Sequence, residues 1–95
     1  MTKAPKPQPQ EPLWVVYILR CADDTLYTGI TNNLQNRIHQ HETGKGAKYT
    51  KTRTPLTLVY QEPSENRSTA SKREYAIKSL SRSQKLTLIA SVSPE

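Results

Sequence analysis

Disulfides, membrane spans and acidic charge are what this chain has little of, and each shortage narrows what it does. Its single cysteine, Cys21, cannot form an internal disulfide, which fits a reducing cytosol and assigns the thiol to packing after a first strand. No apolar run approaches the ~20 residues a bilayer crossing needs, and the polar start does not read as a signal peptide. A cytoplasmic protein with no membrane partner is expected. Acids number 8 against 14 lysines and arginines, for a formal charge of +6 and a pI of about 9.7. That balance favours a polyanionic partner, although a solvated basic protein without one has the same composition. Length is short as well: 95 residues give room for one domain. Residues 1–12, MTKAPKPQPQEP, carry four prolines and read as a disordered Pro-rich tail in which Lys3 and Lys6 add weak phosphate attraction. A single domain is expected over residues 13–92.

The stretch that organises this domain is VYILRCADDTLYTG, from Val16 to Gly29. Two apolar, tyrosine-bearing runs, Trp14 to Leu19 and Thr25 to Ile30, flank the polar knot Ala22-Asp23-Asp24, the pattern of a tight hairpin. Antiparallel pairing brings Tyr17 near Tyr27, with Gly29 leaving a spot where another backbone or a ligand can approach. Leu13 to Arg20 is apolar on both alternating sets, as in a central strand covered on both faces. Thr31-Asn32-Asn33 supplies capping side chains for a helix whose one face carries Leu34, Arg37, Ile38 and His41, and Gly44 ends it. The basic stretch from Lys45 to Arg53 reads as a phosphate-gripping loop, with Lys45, Lys48, Lys51 and Arg53 as cations and Tyr49 and the threonines as donors. An ordinary solvated loop reads the same way. Pro55 opens a third strand, LTLVYQ, which Pro63 stops, and residues 64–67 form a turn. From Ser68, Ala70, Ile77 and Leu80 keep helical spacing; Ser81 or Ser83 caps a last helix in which Leu86, Ile89 and Ala90 close the core. The expected fold is α/β of the α+β type, a three-stranded antiparallel sheet flanked by helices in the order β-β-α-β-α-α.

Five side chains stand out on this framework. Arg37 and His41 lie one helical turn apart on the apolar face, where both need an anion or an acid to satisfy them. His39 projects to nearly the opposite side, so His39 and His41 are a poor chelating pair and do not read as zinc ligands. Glu74, four residues after Ala70 and three before Ile77, points towards the core side of its helix, either as a functional carboxylate or in a salt bridge to Arg37 or Arg73. Tyr17 and Tyr27 alone read as sheet tyrosines. Two phenols, a guanidinium, an imidazole and a carboxylate in one basic domain suit phosphodiester cleavage, which needs a phosphate clamp, an activated water and a held cation.

These residues resemble the GIY-YIG nuclease superfamily. VYIL followed by YTG, with ten residues from Tyr17 to Tyr27, is similar to its paired signature; Arg37 and His41 in RIHQH resemble its helix arginine and that residue's one-turn partner. Glu74 in KREYAIKSL resembles its single metal-binding glutamate, and GKGAKYT is similar to the small stand-alone bacterial branch. The resemblance spans residues 13–90. It implies a metal-dependent DNA endonuclease in which Glu74 ligates one Mg²⁺ or Mn²⁺, Tyr17 is the general base, Tyr27 orients water or phosphate, and Arg37 holds the non-bridging oxygens. His41 either bonds Tyr17 or assists the leaving group. Two positions depart from the pattern: Ile30, Thr31 and Asn32 stand where many members have a lysine, and Leu86 where many have an asparagine. With no attached domain expected, low sequence preference and a tilt towards single-stranded, branched or damaged DNA follow, for a chain taken as a monomer. A non-catalytic nucleic-acid-binding module is the alternative.

Overall fold

The computed structural model describes residues 14–92, so the expected tail over residues 1–12 lies outside the described residues. Strands β1 (Trp14–Arg20), β2 (Leu26–Thr31) and β3 (Thr57–Ser64) form one antiparallel sheet in the order β2-β1-β3. β1 is central, as its two-sided apolar pattern requires: Val16, Tyr17, Ile18 and Leu19 are all 0–1 % exposed. The turn between β1 and β2 is closed by its aspartates. Asp24 takes a positive φ of 71°, and Asp23 Oδ1 accepts from the backbone N–H and the hydroxyl of Thr25 at 3.1 and 2.6 Å.

Strand alternation splits the core. One face carries Val16, Ile18 and Tyr60 against Ala70 and Ile77 of α3 (Arg67–Lys78), with Leu88 and Ile89 of α4 (Arg82–Ser91) packed on them. The other carries Tyr17, Leu19 and Cys21 with Leu56, and takes Leu34 and Ile38 of α1 (Leu34–Glu42). Asn33 caps α1 by accepting from Asn36 N–H at 3.1 Å, and Ser81 caps α4 in a reciprocal box with Gln84.

Three expectations change. Pro63 does not stop β3, which continues to Ser64 with Pro63 opposite Val15; an edge strand tolerates proline because its outer side has no ladder to donate to, and the turn shrinks accordingly. The basic stretch is not wholly loop, since Lys48–Lys51 form a short helix, α2. In α4 it is Leu88 and Ile89 that reach the core, while Leu86 is 43 % exposed and Ala90 is exposed too, because the cap at Ser81 fixes the helix's phase. The remaining order of strands and helices is as the sequence implies.

Candidate active site

Tyr17 sits in mid-β1 opposite Gly29 of β2. Its ring crosses that glycine so closely that a Cβ at position 29 would stand 2.5 Å from the phenol oxygen. The space Gly29 leaves is therefore filled by Tyr17 itself, not by a second backbone or a ligand. Tyr27 pairs with Leu19 and so shares Tyr17's face, the two ring centres lying 6.5 Å apart. His41 comes in from α1, edge-on to both rings at 5.9 and 5.3 Å.

His41 is fully buried, and both ring nitrogens are engaged. Nδ1 lies 2.8 Å from Thr50 Oγ1, and Nε2 lies 2.8 Å from the Tyr17 hydroxyl. Thr50 gives its one hydroxyl proton to the carbonyl of Ala47 at 3.0 Å, so it accepts from Nδ1–H. That network assigns the proton to Nδ1 and leaves Nε2 as the acceptor of the Tyr17 O–H. A histidine enclosed in this way bonds Tyr17, the first of the two roles left open for it. Gly46 completes the enclosure: a Cβ there would overlap the imidazole and stand 2.9 Å from His41 Cα.

Burial dominates the electrostatics. It pushes the Tyr17 phenol up to about 12, against the pull of the Arg37 guanidinium; the Tyr27 and Glu74 charges add to the rise. It also pushes His41 down to about 4, helped by the Arg37 charge. Arg37 thus acts on both groups, and its Nη1 donates to Gln40 Oε1 at 3.0 Å. Tyr17, Tyr27, Arg37 and His41 form one cluster, and Glu74 acts on it from α3.

Glu74 is not in the core. Its side chain is 22 % exposed at the border of the buried stripe, and Oε2 meets Lys78 Nζ at 3.0 Å. Neither Arg37 nor Arg73 is its partner: Arg73 Nε bonds Glu62 Oε2 at 2.8 Å, and Tyr60 donates to the same carboxylate. Among the described residues no group of three or more His, Cys, Asp or Glu side chains encloses a metal site. A lone, partly exposed carboxylate whose lysine partner lines a cleft fits Mg²⁺, which keeps most of its waters and takes phosphate oxygens as further ligands.

The basic stretch is tied to this cluster. Tyr49 stacks on Tyr27 with ring centres 5.9 Å apart, and the Arg53 guanidinium covers Tyr49 at 3.9 Å. Arg53 also donates to Asp23 Oδ2 at 3.0 Å and to the Tyr49 carbonyl at 2.6 Å, which pins the stretch to the hairpin turn. Lys45, Lys48 and Lys51 remain exposed. Beside Tyr27 and Tyr49, Thr28, Lys78 and Lys85 line a cleft of about 310 Å³. Sequence reasoning missed Thr50, Gly46, Lys78 and Lys85. Only Lys78 had a signal, its four-residue spacing from Glu74.

The family model of the GIY-YIG catalytic domain matches residues 13–87, nearly the whole of the described sheet and helices. The chain belongs to that family and, within it, to the small UPF0213 proteins. It is 55% identical to a UPF0213 protein of Desulfotalea psychrophila over 85 residues, 88% of this chain and 77% of that one. A UPF0213 protein of Natronomonas pharaonis is 53% identical over 75 residues, 79% and 88% of the two chains. The solution NMR structure of a UPF0213 protein from Bacillus halodurans superimposes with a TM-score of 0.56 at 42% identity, covering 83% of this chain and 84% of that one.

Proposed function

We propose that this protein is a divalent-metal-dependent DNA endonuclease that hydrolyses phosphodiester bonds with little sequence preference and favours single-stranded, branched or damaged DNA. The observation that carries the reading is the Tyr17 hydroxyl held at 2.8 Å on a histidine nitrogen that is fixed, by Thr50, as a proton acceptor. A purely structural tyrosine needs a partner, but not one whose tautomer is set to take its proton.

In this mechanism Tyr17 takes the proton of the attacking water and passes its own to His41 Nε2. At rest burial raises the phenol and lowers the imidazole, so transfer between them is strongly uphill and the pair waits neutral. Positive charge beside the phenol lowers its hold on the proton, although the Arg37 charge lowers that of His41 as well. Arg37 supplies part of that charge and holds the non-bridging oxygens as their charge grows, while Tyr27 orients the water or phosphate through its hydroxyl. A Mg²⁺ or Mn²⁺ ion held by Glu74 would supply the rest of the charge at the phosphate. Lys45, Lys48, Tyr49, Lys51 and Arg53 flank the path of the DNA backbone.

One observation favours a second reading, a nucleic-acid-binding module without catalysis: Lys78 already occupies the Glu74 carboxylate. One experiment separates the two. Purified protein is incubated with labelled single-stranded and duplex DNA in Mg²⁺ or Mn²⁺, with chelator and Glu74→Ala as controls. The endonuclease reading expects nicking that disappears in both controls, and cleavage that survives Glu74→Ala sinks the metal role. Salt-sensitive binding without nicking in either metal establishes the second reading instead.

A further inference from the structure

A second cleft of about 310 Å³ opens on the other side of Gly29 along β2, lined by Trp14, Ile30, Asn32, Asn36, Arg37 and Arg67 among others. Ile30 and Tyr27, one in each cleft, are three residues apart on β2, a separation of ~10 Å. The Tyr17 hydroxyl lies over Gly29 on the Tyr27 face of the sheet, one residue before Ile30, whose side chain packs on the other face. The two clefts differ in chemistry. Lysines line the one beside Tyr27, as a phosphate prefers, whereas the one beside Trp14 offers an indole, four carboxamides (Asn32, Asn33, Asn36 and Gln40) and two guanidinium groups.

We propose that the cleft between Trp14, Arg67 and Asn36 is a nucleobase subsite, holding one unpaired base next to the bond positioned at Arg37. This rests on the nuclease reading and deepens it by naming what the enzyme grips beside the cleaved bond. Three features carry it. Asn32 and Asn36 each present a donor and an acceptor, the pair a base edge needs, whereas a phosphate has only acceptors. Neither carboxamide is engaged in a side-chain hydrogen bond with another described side chain, while Asn33 and Gln40 beside them are committed to Asn36 N–H and to Arg37. Trp14 is half-buried, and the Arg67 guanidinium stands 5.7 Å from its ring centre, well outside the 3.9 Å at which Arg53 closes on Tyr49. The indole and guanidinium are therefore loosely joined flat surfaces of the kind on which bases stack. A base still paired in a duplex does not fit such a recess, so the subsite selects single-stranded or frayed DNA.

Trp14 is the sole tryptophan of the chain and reports the subsite directly. The full chain, in chelator so that nothing is cut, is titrated with short oligo(dT) and with an abasic strand of the same length and phosphate count. Tryptophan fluorescence reports stacking, and anisotropy of a labelled strand reports binding. Oligo(dT) is expected to quench Trp14, while the abasic strand binds roughly five- to a hundred-fold more weakly and does not quench. Asn36→Ala, on an exposed helix position, is expected to weaken oligo(dT) roughly two- to ten-fold and leave the abasic strand unaffected. Equal binding and quenching by the two strands, or binding of oligo(dT) without quenching, overturns the subsite. Cleavage of the same oligo(dT) in Mg²⁺ is measured separately, so such a result leaves the nuclease reading standing. A strand neither bound nor cut removes both.

Discussion

Acid should weaken this fold through one side chain, His41. The imidazole is fully buried, holds the Tyr17 hydroxyl through Nε2 and sits at about 4 instead of its ordinary 6.5. Because the folded value is depressed, the unfolded chain takes the proton first as pH falls. The stability that neutral His41 contributes is therefore whole above about pH 6.5 and is lost as pH drops towards 4. The full difference is on the order of 3 kcal/mol, most of which is gone by pH ~4.5. For a domain of this size that lowers the melting temperature by ~10–20 °C. The measurement is thermal or urea unfolding at steps between pH 7.5 and 4.5 for the native chain and for His41→Gln. The variant is less stable at neutral pH, but its curve should be flatter across the window by the His41 share. Any carboxylates that titrate in this window are common to both proteins and cancel in the comparison. Parallel curves over that range would show that His41 is not held neutral by burial, and the tautomer argument for Tyr17 would go with it.

Two other perturbations test the supports of the cluster. Gly46→Ala drives a methyl into the His41 ring, so a stability loss of ~1–3 kcal/mol and at least a ~ten-fold fall in cleavage are expected; an unchanged melting temperature and rate would show that the segment yields without moving the histidine. Lys78→Gln frees the Glu74 carboxylate from a half-exposed pair, and Mn²⁺ binding followed by electron paramagnetic resonance should tighten about two-fold, no more, because such pairs are weak; unaltered binding would show that Lys78 does not compete there.

What the sequence made legible is what periodicity and local chemistry record. The two-sided apolar run of β1 placed it at the centre of the sheet, the aspartate turn marked the hairpin, and the Arg37 and His41 spacing put both on the face that meets Tyr17. The failures share a cause. That Pro63 could remain in a strand depended on β3 being an edge, a property of the sheet and not of the segment. Thr50 looked like a phosphate donor because a threonine among lysines gives no sign of which way it faces; it faces inward, nine residues from the histidine it orients. Arg53 looked like a free cation until the fold brought Asp23, thirty residues away, into contact with it. Each error concerned a contact across a turn, where no period is available to read.

The charge arrangement also bears on the two positions at which this chain departs from the wider family. Where a lysine is common after the second tyrosine this chain has Ile30, Thr31 and Asn32, and where an asparagine is common it has Leu86, which is 43 % exposed. Cations arrive instead from the neighbouring helices, Lys78 of α3 and Lys85 of α4, both lining the cleft beside Tyr27. Glu74, paired with Lys78, therefore stands near a cleft already lined by cations. On the reading proposed above, this surface attracts a phosphate before it attracts a metal ion, since a lone carboxylate paired with a lysine binds a hydrated divalent ion weakly. Phosphate oxygens of the substrate would complete the ligands of an ion held by Glu74, and by reciprocity such an ion would strengthen the grip on the DNA as much as the DNA strengthens the grip on the ion. The phenol, which burial keeps about two pH units above its ordinary value, stays protonated until both are in place. On that reading, a general base held protonated in the empty cleft would tie cleavage to the presence of a bound strand.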